Sequence, residues 1–146
     1  MPDNYQDTAY RMYDSSHLLF QKKQWFNANY LSGYILECYC KLVLTLYSQH
    51  GYSFSRGHST LRSFGHKLSD LKNEIDLISL SGCAASSYCL DILSTCPNTL
   101  NEWDPKRRYE PDSSTLNTKT LAEKIHMETE SLIDMIMKMD IDGVII

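Results

Sequence analysis

Glycine and proline are scarce in this chain, six and four among 146 residues. Counts that low exclude collagen-like and low-complexity architectures, which need repeated Gly or Pro to keep the backbone out of a packed core. An excess of basic charge is also missing. Fourteen Lys and Arg stand against 18 Asp and Glu, a formal net charge of −4, whereas a protein that grips duplex DNA by counterion release is ordinarily basic. Long apolar runs are absent too. The most apolar stretch, Tyr34 to Tyr47, is broken by Glu37 and Lys41 and is shorter than the roughly 20 residues needed to cross a bilayer. Residues 1–21 show no basic segment leading into an apolar one, so the expectation is a chain without a secretory signal or membrane span. Strand-like alternation is nearly missing, with only the tail Val144-Ile145-Ile146 rich in β-formers. No Gly-rich phosphate loop, nucleophile elbow or HExxH pair occurs.

Five cysteines, at 38, 40, 83, 89 and 96, make an odd set. That suits reduced thiols in the cytoplasm better than a closed disulfide framework. Metal binding fails on spacing: Cys38 and Cys40 would point about 200° apart on a helix, and Cys83, Cys89 and Cys96 lack close pairing. Most of them are expected in the core, and no metal or cofactor is expected.

What is present is helical periodicity. Asp3-Asn4-Tyr5-Gln6 reads as an N-cap with a capping-box Gln, and Ala9, Met12, Tyr13, Ser16, Leu19 and Phe20 then share a face, which places a helix over roughly 4–22. Lys22 and Lys23 suit the negative end of that helix. A second helix, about 25–49, is apolar almost all round, as a central bundle member must be. Gly33 in its interior costs about 1 kcal/mol relative to Ala, which points to a close helix crossing there. His50 to Gly65 reads as a long loop. Leu68, Leu71, Ile75 and Ile78 mark a third helix over roughly 66–80, and a fourth runs over about 84–95 until Pro97 ends it. The mixed-sign stretch 98–114 reads as a second long connection. Leu121, Ile125, Leu132, Met135, Ile136 and Met139 define a last helix over about 116–139. The expectation is one all-α domain over residues 1–146, an up-and-down bundle of about five helices.

Three groups of residues carry a resemblance. Tyr30 to Glu37 followed by Lys41, Gly65-His66-Lys67-Leu68-Ser69-Asp70-Leu71, and Trp103 followed by Arg108-Tyr109 occur in the order and at the helical positions seen in HEPN domains. The resemblance implies a compact helical bundle, often a homodimer. Its members act in RNA cleavage, in RNA or nucleotide binding, or beside a nucleotidyltransferase or antitoxin partner in conflict systems. The nuclease members carry an Arg and, after four to six intervening residues, a His. Here the one formal match, Arg11 to His17, falls on the first helix, where six positions turn the side chains about 240° apart. Arg62 and His66 are one residue too close together for the motif, and Arg107 and Arg108 have no His downstream. A non-catalytic, HEPN-like binding module for RNA, a nucleotide or a protein partner is therefore the leading expectation. A divergent metal-independent endoribonuclease using Arg62 and His66, and a purely structural helical adaptor, are the alternatives.

Individual residues divide accordingly. Glu37 and Lys41 stand four apart in the favourable order. They serve either as a structural polar core with His66, Arg108 and Tyr109 or as a ligand-binding carboxylate and its partner. His66 is either a local hydrogen-bonder or, with Arg62, a general base. Arg56, His58 and Arg62, interleaved with Tyr52, Phe54 and Phe64, are the ligand-contact candidates, cations for phosphate and rings for bases. The cluster Lys106-Arg107-Arg108 is neutralised by Asp104, Glu110 and Asp112 and reads as ordinary surface. Ten tyrosines, dense on the first two helices, suit a subunit interface.

Overall fold

The computed structural model describes residues 3–145 apart from 56, 57 and 59, and every structural statement below concerns those residues. They form helices and turns without a strand, as the periodicity implied. Six α-helices follow in order: α1 Tyr5–Gln21, α2 Trp25–Gln49, α3 Leu68–Leu80, α4 Ile92–Thr95, α5 Pro97–Glu102 and α6 Lys119–Ile141. Three 3-10 turns, Leu61–Phe64, Ala84–Tyr88 and Pro105–Tyr109, punctuate the connections. Only α1, α2, α3 and α6 are long enough to be rods of a bundle. None of them is long and apolar enough to cross a membrane.

Helix α2 is the axle. Ile35, Leu36, Cys38, Tyr39, Cys40, Leu42, Val43, Leu44 and Leu46 are all buried, and α1, α3 and α6 pack around them. The helix is covered on nearly every side, as its all-round apolar character implied, which is why Asn29, Ser32, Glu37 and Lys41 are buried with it. Helix α1 starts one residue later than the capping box suggested. Asn4, not Asp3, is the N-cap, and its Oδ1 accepts from the Asp7 amide at 2.9 Å. Helix α6 starts at Lys119 behind Thr118, and its C-terminus is sealed by a Schellman motif. Gly143, at φ 72°, lets the Val144 amide reach back to the Met139 carbonyl at 3.1 Å. Val144 and Ile145 thus pack against the core rather than forming a strand, and Ile146 lies outside the described residues.

The expected fourth rod over 84–95 does not form. The buried Tyr39 hydroxyl donates to the Tyr88 carbonyl at 2.6 Å and accepts from the Leu90 amide at 2.7 Å. These are two of the backbone groups a continuous helix would pair internally, so the chain stops at a 3-10 turn and restarts as α4. Pro97 ends α4 and also opens α5 from its first turn, where a missing N–H costs nothing. The connection expected over 98–114 therefore contains α5 and a further 3-10 turn. Glu128 of α6 holds α5 in place: its carboxylate, only 6% exposed, accepts from the amides of Asn98 and Thr99, from Asn98 Nδ2 and from Thr99 Oγ1.

Gly33 permits a close approach, but of a ring rather than a helix. A methyl group at that position would lie 2.0 Å from the nearest atoms of the Trp103 indole. The indole lies flat in this notch, 7% exposed, with Nε1 donating to the Tyr30 carbonyl at 2.8 Å.

Candidate functional site

On α2, two charged residues are buried with little of either exposed. Glu37 and Lys41 sit one turn apart on the axle, 5% and 7% exposed, with Nζ 3.8 Å from Oε1. Neither charge could be left unpaired at that depth without a cost of several kcal/mol. The carboxylate gains its strongest contact from outside the helix: His66 Nδ1 lies 2.5 Å from the same Oε1. Because a carboxylate accepts and does not donate, Nδ1 carries the proton and Nε2 is left for a further partner.

His66 precedes α3 rather than standing on it. Gly65, at φ 54°, turns the chain so that the histidine folds back over α2 before the helix begins at Leu68. Tyr34 supports the ring edge-on at 6.1 Å and meets the Trp103 indole edge-on at 4.9 Å. Its hydroxyl pairs with that of Tyr30 at 2.9 Å, and Tyr30 in turn reaches the Pro105 carbonyl at 3.4 Å. Burial, then the Tyr30 hydrogen bond, pushes the Tyr34 phenol up to about 12, so it stays protonated. Next to Glu37, burial together with the carboxylate's charge holds the Cys38 thiol at about 12, which makes it packing rather than a nucleophile.

The outer side of this cluster is a cleft of about 370 Å³ between the start of α3 and the end of α5. His66, Lys67, Ser69, Trp103, Pro105 and Lys106 line it. The imidazole is 56% exposed there. Asp104, also on the rim, spends its Oδ1 on the Lys106 amide at 2.8 Å, capping the 3-10 turn. The cleft thus offers one oriented imidazole and two ammonium groups over the rim of a buried indole, a set suited to a phosphate.

The structure brings together only part of the anticipated site. Glu37, Lys41 and His66 meet; Arg108 and Tyr109 do not join them. Tyr109 is 79% exposed, and Arg108 lies over its ring at 4.7 Å, turned toward a separate polar cleft with Lys23 and Asn117. The 3-10 turn at Pro105–Tyr109 directs its arginines in different directions. Arg107, dismissed in the sequence as surface, makes the structural tie instead. Its guanidinium bonds Glu102 at 2.9 Å and Glu110 at 2.8 and 3.0 Å and reaches Thr115 at 3.0 Å, pinning the chain between α5 and α6. These contacts raise the Arg107 pKa, with the Glu110 hydrogen bond the largest cause.

The proposed contact loop is largely occupied with itself. His58 stacks on the buried Phe64 at 3.9 Å and pairs with Ser63 Oγ at 2.9 Å, so it anchors the loop. Arg62 is exposed on the Leu61–Phe64 turn and makes no hydrogen bond or ion pair with His66, whose Nδ1 is taken by Glu37. Arg56 lies outside the described residues. Arg11 bonds Thr8 at 3.3 Å, whereas His17 enters a ring stack with α6, so that pair diverges as helical geometry requires. Among the described residues, no three His, Cys, Asp or Glu side chains group so as to hold a metal ion. Sequence reasoning missed Trp103 and Lys106 as cleft walls; the glycine inside α2, Gly33, was the signal for the first. No protein family, curated protein or solved structure matches the chain.

Proposed function

We propose that this chain is a HEPN-like, non-catalytic binding module of the cytoplasm, working as a homodimer, that takes a nucleotide or the phosphate of a single-stranded RNA at the His66 cleft. The observation that carries this reading is the contact of His66 Nδ1 with the buried Glu37, which fixes the ring with Nε2 available beside Lys67, Lys106 and Trp103. All three groups of residues behind the resemblance lie on helices or helix ends of an all-α bundle, and the Trp103 ring rests against the glycine of the first group. Among the described residues Arg62, the arginine of the expected Arg–His couple, makes no hydrogen bond or ion pair with His66, whose Nδ1 is taken by Glu37, so the reading put forward is binding rather than cleavage. A nucleotidyltransferase or antitoxin remains the protein-partner class the reading implies.

Titration with AMP and with a short single-stranded RNA, followed by Trp fluorescence and calorimetry, tests it. Saturable binding that weakens at least about tenfold in both His66→Ala and Lys106→Ala is expected, a loss of the size given by one charge-assisted hydrogen bond. Light scattering should return twice the monomer mass. No binding of either probe removes the ligand assignment. RNA degradation in EDTA that disappears in His66→Ala would replace it with the endoribonuclease reading.

A further inference from the structure

Away from the cleft, the seam between α1 and α6 is closed by a ladder of rings. Tyr13 and His17 of α1 stack at 5.8 Å, His17 stacks on His126 of α6 at 5.0 Å, and His126 stacks on Phe20 at 4.5 Å with planes 8° apart. Trp25, at the start of α2, closes the ladder edge-on to Phe20 at 5.5 Å. Two imidazoles therefore form the middle rungs of an otherwise uncharged stack. Nδ1 of His17 is buried without a hydrogen-bond partner, which a lone pair tolerates far better than an N–H would. His126 Nε2 has one partner, Glu130 Oε1 at 3.1 Å.

We propose that the His17–His126 pair is an acid-released clasp that holds the α1–α6 seam closed at neutral pH and loosens α1 along that seam as the medium passes down through the imidazole range. Two neutral rings stack; two imidazolium rings with centroids 5.0 Å apart repel, and the proton on His17 Nδ1 has nothing to bond. The groups facing the pair are Tyr13 and Phe20 from α1, Trp25 from α2 and Glu130 from α6, with Asp14 and Asp134 standing behind Tyr13. Glu130 favours the His126 cation. Burial, the larger effect, and the charge of His17 disfavour it, and the His126 pKa is lowered on balance. A base whose folded pKa is lowered binds fewer protons folded than unfolded, so the seam weakens as pH falls below the ordinary imidazole value and is unaffected above it.

Hydrogen exchange and thermal melts at pH 7.5 and 5.5 decide the matter. In the wild-type chain, amides of α1 should exchange at least about tenfold faster at pH 5.5, after correction for intrinsic rates, while those of α2 stay protected. The midpoint should fall by roughly 4 °C. The double variant His17→Phe/His126→Phe keeps a stack but has no titrating rung, and both differences should vanish; His50→Gln, an exposed histidine elsewhere, should retain them. If the double variant does not fold, the wild-type exchange pattern alone decides. Equal pH sensitivity in wild type and double variant, or α1 exchange that is unchanged or rises only together with α2, overturns the clasp.

Discussion

Replacing Gly33 by Ala sets two physical rules against each other. Helix propensity favours the change, since Ala in a helix interior is better than Gly by about 1 kcal/mol. The new methyl, however, would lie 2.0 Å from the Trp103 ring, far inside contact distance. The ring has to leave its notch, giving up burial that leaves it only 7% exposed and the Nε1 bond to the Tyr30 carbonyl. An indole buries on the order of 150–250 Å², worth about 4 kcal/mol or more at 25 cal/mol per Å². The net expectation is destabilisation by about 3 kcal/mol, or roughly 6–12 °C in midpoint for a chain of this size. Urea melts followed by circular dichroism measure it, and fluorescence should shift to the red as Trp103 meets water. A double-mutant cycle isolates the cause: in a Trp103→Ala background the same substitution should stabilise by about 1 kcal/mol, the sign reversed. A Gly33→Ala protein as stable as the parent, or no reversal in that background, would refute the account of Gly33 as an indole seat.

Three further outcomes follow from buried groups. Glu128→Ala leaves four donors of Asn98 and Thr99 without their acceptor and should cost about 3 kcal/mol by chemical denaturation, with Glu128→Gln recovering part of it. Tyr39→Phe removes the hydroxyl that bridges the Tyr88 carbonyl and the Leu90 amide; about 2 kcal/mol should be lost, together with exchange protection at Leu90. Burial raises the Cys83 thiol, but hydrogen bonds from Ser81 Oγ and from the Ala85 and Ser86 amides outweigh it and leave its pKa lowered, while burial pushes Cys89, Cys96 and Cys38 up to about 12. Alkylation with iodoacetamide near neutral pH, read by peptide mass spectrometry, should therefore label Cys83 first; equal labelling of Cys89 would refute this.

The four rods were legible because a helix is a local object. Apolar residues at three- and four-residue spacing declare α1, α2, α3 and α6 with no knowledge of their partners, and a Glu four places before a Lys declares a pair on one face. The buried state of that pair also followed, since α2 has apolar residues on every side. Apart from the meeting of His66 with Glu37, which the resemblance suggested, what lay beyond the sequence was the meeting of residues distant along the chain. Nothing in positions 84–95 says that a tyrosine on α2 takes the backbone bonds of Tyr88 and Leu90 and splits a helix in two. Nothing near Pro97 announces a carboxylate arriving from α6. Arg107 and Arg108 are neighbours with the same chemistry, and only the turn that carries them decided that one ties the chain to Glu102 and Glu110 while the other faces solvent. Local periodicity fixes where helices run, because backbone bonds close within four residues. The partner of a buried polar atom is fixed by packing across the bundle, and so the cleft at His66 and the ladder at His17 belong to the tertiary structure alone.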